Sequence, residues 1–209
     1  MENGKLYIIS APSGAGKTSL VRCLVKDVER LSVSVSHTTR SMRPGEIDGE
    51  DYYFVSMDDF QNEIRQDAFL EYAKVFDHFY GTALQTVDEL LHQNIDVILE
   101  IDWQGAQQIR QKRSGVISIF ILPPSIQILE QRLRNRGQDS ESTIARRMDD
   151  AVTEISHYEE FDYLIVNDVF EESLQALKCI IFANRHDKER QMSKLAPLLS
   201  SLLGRSQHS

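Results

Sequence analysis

The chain has 209 residues and a net charge of -9, with 41% hydrophobic and 26% charged residues. This length fits one α/β domain with small inserted subdomains, and the acidic balance excludes a broad electrostatic surface for DNA or RNA. An anionic ligand would therefore have to be held by a local cluster of positive groups.

Short apolar, β-branched runs alternate with segments of helical periodicity, which is typical of a largely parallel sheet covered by helices. We predict central strands at 6–10, 33–36, 97–101, 117–122 and 163–166. We predict helices at 17–29, 57–66, 86–92, 105–111, 125–135, 141–158 and 171–183. Between 40 and 81 the pattern changes to short strands separated by turns, at 52–55, 69–73 and 78–80. This change predicts a small mixed-β subdomain inserted into the parallel core.

A phosphate-binding loop is indicated where the first strand meets the first helix. Residues 11–18 read APSGAGKT, close to the P-loop pattern G-x-x-x-x-G-K-[ST] in its required context. Small residues there let backbone N–H groups of Ser13, Gly14, Ala15 and Gly16 surround phosphate oxygens at a helix N-terminus. Lys17 can reach the β- and γ-phosphates, and the Thr18 hydroxyl can bind Mg²⁺.

Ala11 occupies the position of the usual first glycine of this loop, which matters only if that residue needs a positive φ. A plain strand-to-helix turn would explain the glycines, but it gives no reason for Gly-Lys-Thr to begin the helix. The loop therefore predicts a nucleoside triphosphate as ligand.

A GTPase is one alternative, because 102–105, DWQG, imitates a DxxG switch after a strand. That function also needs an Asn-Lys-x-Asp motif after a later strand. The nearest candidate, NRHD at 184–187, lacks the lysine, so the sequence favours another class of P-loop protein.

Further motifs follow the loop in a fixed order. Residues 34–46 read SVSHTTRSMRPGE and place two arginines three positions apart, and they are followed by GEDYYFV at 49–55 and YGT at 80–82. With IDWQG at 101–105 and RLRNRG at 132–137, this set resembles the guanylate kinases, whose signature is near S-x-T-T-R-x-x-R-x-G-E followed by G-x-x-Y-x-F. The resemblance covers nearly the whole chain.

The resemblance implies a GMP site made of residues from four motifs. Guanidinium groups and phenol hydroxyls would hold the GMP phosphate, and they belong to Arg40, Arg43, Tyr52 and Tyr80. The guanine base would be recognised by Ser36, Glu71, Thr82 and Asp102. A carboxylate can accept hydrogen bonds from guanine N1–H and N2–H₂, whereas adenine has no donors there, so AMP should be rejected. Taken singly, each residue also fits a solvated loop, a strand surface or a subdomain core.

The resemblance also implies an ATP site and a helical lid. Arg132, Arg136 and Arg147 align with arginines near the ATP phosphates, and Asn167 with a residue near the adenine. Lys17, Arg43, Arg136 and Arg147 would stabilise the transferring phosphoryl group. Arg134 and Arg146 are expected to face solvent or acidic partners. Without the resemblance, a solvated helical hairpin explains these arginines equally well.

Mg²⁺ is the expected cofactor, with ATP as phosphoryl donor, and it would be held by Thr18 and by Glu100, the latter directly or through water. The family usually has Asp-x-Asp where this chain has Glu100-Ile101-Asp102, so the longer Glu100 side chain would approach the metal differently. Phe79 stands where the family often has tyrosine, which leaves the hydroxyl to Tyr80.

The implied architecture is a parallel-sheet P-loop kinase core at 1–36, 83–124 and 156–203, with a GMP-binding subdomain at 37–82 and a lid at 125–155. We expect a frayed tail at 204–209. The implied activity is Mg-dependent phosphoryl transfer from ATP to GMP and dGMP in purine nucleotide metabolism.

Two other functions are weighed against this activity. A non-catalytic guanylate-kinase-like scaffold module would have lost P-loop residues, whereas this chain keeps Gly14, Gly16, Lys17 and Thr18. A P-loop kinase for another acceptor would show itself by preferring AMP or a pyrimidine nucleotide.

The location follows from cysteine usage and hydropathy. Cys23 and Cys179 lack CxxC spacing, which predicts reduced thiols rather than a metal site or disulfide. The apolar stretch 6–11 is too short for a signal peptide, and no apolar window approaches the length of a membrane span. We therefore expect a cytoplasmic enzyme with small-molecule substrates and no nucleic acid or membrane partner. The sequence is compatible with both a monomer and a homo-oligomer.

Overall fold

The computed structural model describes residues 3–75, 77–135 and 140–204. Its largest element is a five-stranded sheet in which every neighbouring pair is parallel. The strands, in the spatial order β2-β7-β1-β8-β9, are β1 (Leu6–Ser10), β2 (Leu31–Val33), β7 (Asp96–Leu99), β8 (Ile117–Leu122) and β9 (Tyr163–Val166). Strand β1, which leads into the phosphate loop, therefore lies in the middle of the sheet.

Both faces of this sheet are covered by helices, as the apolar strands predict for a parallel sheet. Tyr7 and Ile9 of β1 pack against one helical layer, whereas Leu6 and Ile8 pack against the other, because successive side chains of a strand point to opposite faces. The first layer contains α1 (Lys17–Asp27) and α7 (Phe170–Arg185), and the second contains α3 (Leu84–His92) and α4 (Trp103–Lys112).

The second sheet has four strands in the order β4-β3-β6-β5 and mixes parallel with antiparallel pairs. Its strands are β3 (His37–Thr38), β4 (Tyr53–Phe54), β5 (Phe69–Val75) and β6 (His78–Ala83). One helix, α2 (Met57–Arg65), is capped by the preceding Ser56, whose hydroxyl accepts from Asp59 N. This arrangement confirms the small mixed-β unit expected between the strands of the parallel core.

Three further helices complete the described structure: α5 (Ile126–Asn135), α6 (Glu141–Ser156) and α8 (Lys188–Leu202), with a short 3₁₀ turn at Tyr158–Glu160. Leu129 and Leu133 of α5 pack against Ala151 of α6. In the described part of the chain, none of the helices combines the length and the apolar composition needed to span a bilayer.

Two predicted strands have wrong bounds. The strand expected at 33–36 is Leu31–Val33, and the one expected at 97–101 ends at Leu99, which leaves Glu100 and Asp102 in the loop after it. Strand β3 and helix α8 were not predicted. Of the expected tail at 204–209, Gly204 lies in a turn, and 205–209 lie outside the described residues.

Candidate active site

The phosphate loop adopts a backbone that only glycine accommodates easily at two positions. Gly14 and Gly16 have φ values of 95° and 94°, and Gly16 is the residue that precedes the first turn of α1. Ala11 is not among the residues with positive φ, so replacing the usual glycine there imposes no strain. Lys17 is the first residue of α1, at the helix end where the partial positive charge of the helix dipole favours phosphate.

The side chain of Asn167, the residue after β9, holds the backbone of the phosphate loop in place. The Asn167 amide nitrogen donates to the carbonyl oxygen of Ala15 at 2.6 Å, and this side chain is 5% exposed. Arg132 Nη2 donates to the Asn167 carbonyl oxygen at 3.0 Å, while its Nη1 is buried without a hydrogen-bond partner among the described residues. The structure therefore places Asn167 against the loop backbone and leaves a guanidinium nitrogen available beside it.

Oxygen ligands suited to a divalent cation meet at the start of α1. Thr18 Oγ1 donates to Glu100 Oε2 at 3.3 Å, so the hydroxyl and the carboxylate predicted for the metal are neighbours. Hard oxygen donors of this kind fit Mg²⁺, which usually keeps several waters and substrate phosphate oxygens in its shell. Within 3–75, 77–135 and 140–204, no cluster of three or more His, Cys, Asp or Glu residues could hold a metal by itself. A metal there would therefore depend on the nucleotide for further ligands.

A second positively charged site lies in the mixed-β unit. Arg40 is 8% exposed, and its guanidinium makes two hydrogen bonds to the Glu46 carboxylate, at 2.9 and 2.7 Å. The Tyr52 and Tyr80 rings contact each other edge to face at 5.8 Å, and Arg40 lies 5.4 Å from the Tyr52 ring centroid. Burial raises the pKa of Tyr52 to about 12, which keeps its hydroxyl a donor. The structure thus brings Arg40, Tyr52 and Tyr80 together.

Arg43 is linked to this site through its backbone. Its N–H donates to Glu46 Oε2 at 2.7 Å, so one carboxylate connects the backbone of Arg43 with the guanidinium of Arg40. The hydrogen bond from Arg40 holds the pKa of Glu46 below its usual range, and burial opposes this effect. The Arg43 side chain is exposed and accessible to an incoming anion.

Two carboxylates lie at the junction between the mixed sheet and the core. Glu71 of β5 is 3% exposed and accepts from the Thr82 hydroxyl at 2.5 Å. Asp102 precedes α4 and accepts from the backbone N–H of Gly105 at 2.9 Å. A Cβ at Gly105 would lie 2.6 Å from Glu71 Oε2, so only glycine leaves room for this carboxylate.

Burial raises the pKa of Glu71 to about 7, the Thr82 hydrogen bond opposes the shift, and the Asp102 charge adds to it. A carboxyl group that gains or loses a proton near neutral pH is typical of a functional site. Ser36 lies next to the mixed sheet, where its carbonyl oxygen accepts from Tyr53 N at 2.9 Å.

The arginines of the expected lid have different environments. Arg134 pairs with Glu130 and Glu141, and Arg146 approaches Asp77 at 3.7 Å, as expected for residues with acidic partners. Arg147 lies on α6, whereas Arg136 lies outside the described residues.

Sequence reasoning missed an acidic pair on α6. Asp150 Oδ2 and Glu154 Oε2 are both buried without a hydrogen-bond partner among the described residues. Burial raises the pKa of Glu154 to about 7, while the charge of Lys17 opposes the shift, which places Glu154 beside the phosphate loop. The spacing from Arg147 to Asp150 and Glu154 puts the three on one helical face, and this periodicity could have indicated the pair.

Comparison with known proteins agrees with this geometry. The family model described as guanylate kinase matches residues 3–184. A guanylate kinase from Methylococcus capsulatus is 56% identical over 204 residues, which covers 98% of this chain and 100% of that protein. A guanylate kinase from Escherichia coli K12 is also 56% identical and covers 97% of this chain and 99% of that protein. A crystal structure of guanylate kinase from Anaplasma phagocytophilum matches with a TM-score of 0.75 at 35% identity and covers 96% of both chains.

Proposed function

The chain belongs to the guanylate kinase family and transfers a phosphoryl group from ATP to GMP, giving ADP and GDP; we propose that the residues described above divide this reaction between a donor side and an acceptor side. The assignment of roles is supported by Glu100, whose carboxylate lies 3.3 Å from Thr18 Oγ1 beside the phosphate loop and whose charge, in addition to burial, raises the pKa of Tyr52 in the mixed-β unit. The phosphate loop and the mixed-β unit each have the chemistry that one nucleotide requires.

On the donor side, the backbone N–H groups of Ser13, Gly14, Ala15 and Gly16 bind the β- and γ-phosphates of ATP, and Lys17 adds a positive charge. Asn167 keeps the loop in this shape through its hydrogen bond to Ala15. Arg132 offers its buried Nη1, which has no partner among the described residues, to a phosphate oxygen.

On the acceptor side, Arg40, Arg43, Tyr52 and Tyr80 bind the phosphate of GMP or dGMP. Glu71, Asp102, Ser36 and Thr82 recognise the guanine. In the ionised state, Glu71 accepts from the N1–H and N2–H₂ donors that adenine lacks at these positions. The proximity of Glu71 to Thr82 and Asp102 supports this assignment.

The reaction needs alignment and positive charge more than it needs proton transfer. The attacking oxygen already belongs to a phosphate anion, so no general base is required. Arginines of the lid, Arg136 and Arg147, together with Arg43 and Lys17, stabilise the charge that develops on the transferring group. An arginine in this role can contribute about 10³–10⁵ in rate.

We assign the metal site to Thr18 and Glu100, with Glu100 acting directly or through water. Mg²⁺ bound there would neutralise part of the charge on the ATP phosphates. The longer Glu100 side chain, in place of the family's usual aspartate, remains within hydrogen-bond distance of Thr18, which supports its use at this position.

Closure around both nucleotides would protect ATP from water. In this scheme the core (1–36, 83–124 and 156–203) binds ATP, the subdomain 37–82 brings GMP, and the lid 125–155 completes the site. We expect little ATP hydrolysis without GMP, and fast hydrolysis by the protein alone would contradict the scheme. The free thiols Cys23 and Cys179 support a reducing, cytoplasmic setting.

The test is a coupled assay of ADP release with GMP, dGMP, AMP, CMP and UMP offered separately. We expect turnover with GMP and dGMP only, because only guanine has both donors for Glu71 and Asp102. Lys17→Met should lower kcat by about 10²–10³-fold, whereas Lys26→Met, an exposed lysine on the same helix, should not. Preference for AMP or a pyrimidine nucleotide would contradict the assigned base-recognition residues, and full activity of Lys17→Met would contradict the donor side.

A further inference from the structure

The strand that carries Glu71 lies at the edge of the mixed sheet and is irregular just before that residue. In the order β4-β3-β6-β5, β5 comes last, so one side of its backbone has no neighbouring strand within the described sheet. The register shifts between Phe69 and Glu71, which makes Leu70 an extra residue in the ladder with β6. Such a bulge redirects side chains beside active sites, and it leaves the backbone of the extra residue available to other partners.

Two side chains of α4 bind the backbone on either side of Glu71. Gln108 Oε1 accepts from Tyr72 N at 3.2 Å, and Gln108 Nε2 donates to the Tyr72 carbonyl oxygen at 2.7 Å. On the other side of Glu71, the Leu70 carbonyl oxygen accepts from Lys112 Nζ at 2.6 Å. A glutamine amide has both a donor and an acceptor, so Gln108 gives the edge of β5 the pair of hydrogen bonds that a further strand would give.

The same face of α4 includes the second carboxylate of the guanine site. Residues three or four positions apart lie on one side of a helix, and at α4 and its N-cap these are Asp102, Gly105, Gln108 and Lys112. Asp102 accepts from Gly105 N at 2.9 Å, and the Glu71 carboxylate fills the space where a Cβ of residue 105 would lie. One helical face therefore carries Asp102 and contacts both Glu71 and the backbone beside it.

Recognition of guanine depends on where this buried carboxylate lies. Burial raises the pKa of Glu71, whereas the Thr82 hydrogen bond and the charge of Lys112 oppose the shift, so Lys112 also favours the ionised form that accepts from guanine. A hydrogen bond weakens steeply when its geometry is distorted, so a shift of β5 would weaken the bonds to both guanine donors at once. Residues that fix the backbone of β5 therefore contribute to base recognition without touching the base.

We propose that Gln108 and Lys112 are positioning residues for guanine recognition, which hold the Glu71 carboxylate in place relative to Asp102 by anchoring β5 to α4. This role rests on the proposed function, in which Glu71 and Asp102 bind the guanine. Glu71 belongs to the mixed-β unit and Asp102 to the core, so the two anchors join parts of the base site that come from different parts of the fold. Loss of either anchor should weaken GMP binding and spare ATP binding, because the residues assigned to ATP lie outside β5.

The test is the Michaelis constant for each nucleotide in Gln108→Ala and Lys112→Met, measured by ADP release. The matched controls are Gln111→Ala, at an exposed glutamine of α4, and Lys74→Met, at an exposed lysine of β5. In the first two variants we expect the KM for GMP to rise about five- to tenfold, with kcat and the KM for ATP within about twofold of the wild type. Both controls should follow the wild type. KM does not depend on the fraction of folded protein, so a loss of stability alone would not raise it.

A double-mutant cycle shows whether Gln108 acts through Glu71. Glu71→Gln alone should raise the KM for GMP, and Gln108→Ala added to it should raise this KM by less than about twofold more, because the carboxylate that Gln108 positions is gone. The positioning role is wrong if Gln108→Ala or Lys112→Met behaves like its control, if the KM for ATP rises as much as that for GMP, or if the two changes in the cycle are additive. If Glu71→Gln itself leaves the KM for GMP unchanged, the proposed function of Glu71 is wrong, and the positioning role is then wrong as well.

Discussion

Glu71 should give the Michaelis constant for GMP a pH dependence that its amide replacement lacks. Burial raises the pKa of Glu71 to about 7, and the site needs the ionised form to accept hydrogen bonds from guanine. Lowering the pH through 7 protonates Glu71 and converts an acceptor into a donor. GMP affinity should therefore be high above pH 7 and fall below it.

The size of the effect follows from the two titrations involved. A pKa of about 7 leaves Glu71 roughly 10% protonated at pH 8 and roughly 90% protonated at pH 6, which predicts a KM for GMP about tenfold higher at pH 6. The phosphate of GMP itself has a second pKa near 6 and adds about a twofold change. The wild type should thus show about a 20-fold change, and Glu71→Gln only about twofold.

Glu71→Gln should also weaken GMP binding at pH 8, because a hydrogen bond to a charged group contributes about 1.5–3 kcal/mol. This corresponds to a KM about 10- to 150-fold higher. The Thr82 hydroxyl can still donate to the amide oxygen, so the fold should be retained.

The assay is ADP release at saturating ATP, with GMP varied at half-unit steps from pH 6 to pH 8. Glu50→Gln, an exposed carboxyl in the same part of the chain, is the matched control and should follow the wild type. If Glu71→Gln retains the full pH dependence of the wild type, Glu71 does not control recognition of guanine.

Two more predictions concern the phosphate loop. Gly16→Ala should abolish ATP binding and lower the melting temperature, because φ is 94° and a Cβ there would collide with the Asn167 amide. The control is Gly115→Ala, where φ is 71° but the space around a Cβ is open, so the free energy of unfolding should fall by only about 1–2 kcal/mol. Equal destabilisation by the two substitutions would contradict the collision. Glu154→Gln should stabilise the nucleotide-free protein at pH 8 but not at pH 5. The pKa of Glu154 is about 7 in the folded state against 4.5 in the unfolded state, so the free energy of unfolding of the wild type falls by at most about 3 kcal/mol as the pH rises through this range. Urea unfolding at both pH values measures the effect, with Asp149→Asn on the same helix as control. If Glu154→Gln is instead less stable than the wild type at pH 8, the attraction of Lys17 for the Glu154 carboxylate outweighs the cost of its burial.

Sequence patterns predicted the parts of the fold whose signal is local. Strands β1, β8 and β9 were predicted with the observed bounds, because each is a short apolar run flanked by polar or turn residues. The sequence Gly16-Lys17-Thr18 likewise located the loop, because the glycine with positive φ and the first residues of the helix are adjacent in the chain.

Elements that depend on distant partners were predicted less well. Strand β3 has two residues, and its hydrogen bonds go to β4 and β6, more than ten residues away along the chain. Strand β2 has three residues, and its bounds are those of its pairing with β7, from Leu31 opposite Asp96 to Val33 opposite Ile98. Such bounds are set by tertiary pairing, which no local window contains.

Glu46 illustrates the same limit within the active site. The sequence placed it in a recognisable motif, yet gave no reason to expect its carboxylate to bind both the Arg40 guanidinium and the Arg43 backbone. A guanidinium has five N–H donors, and the bonds from Arg40 to Glu46 and to the Ser41 carbonyl use three of them. Arg40 would therefore meet a phosphate with its remaining donors while Glu46 keeps its plane fixed. A positioning carboxylate of this kind lowers the entropy cost of binding an anion, and it is visible only once the chain has folded.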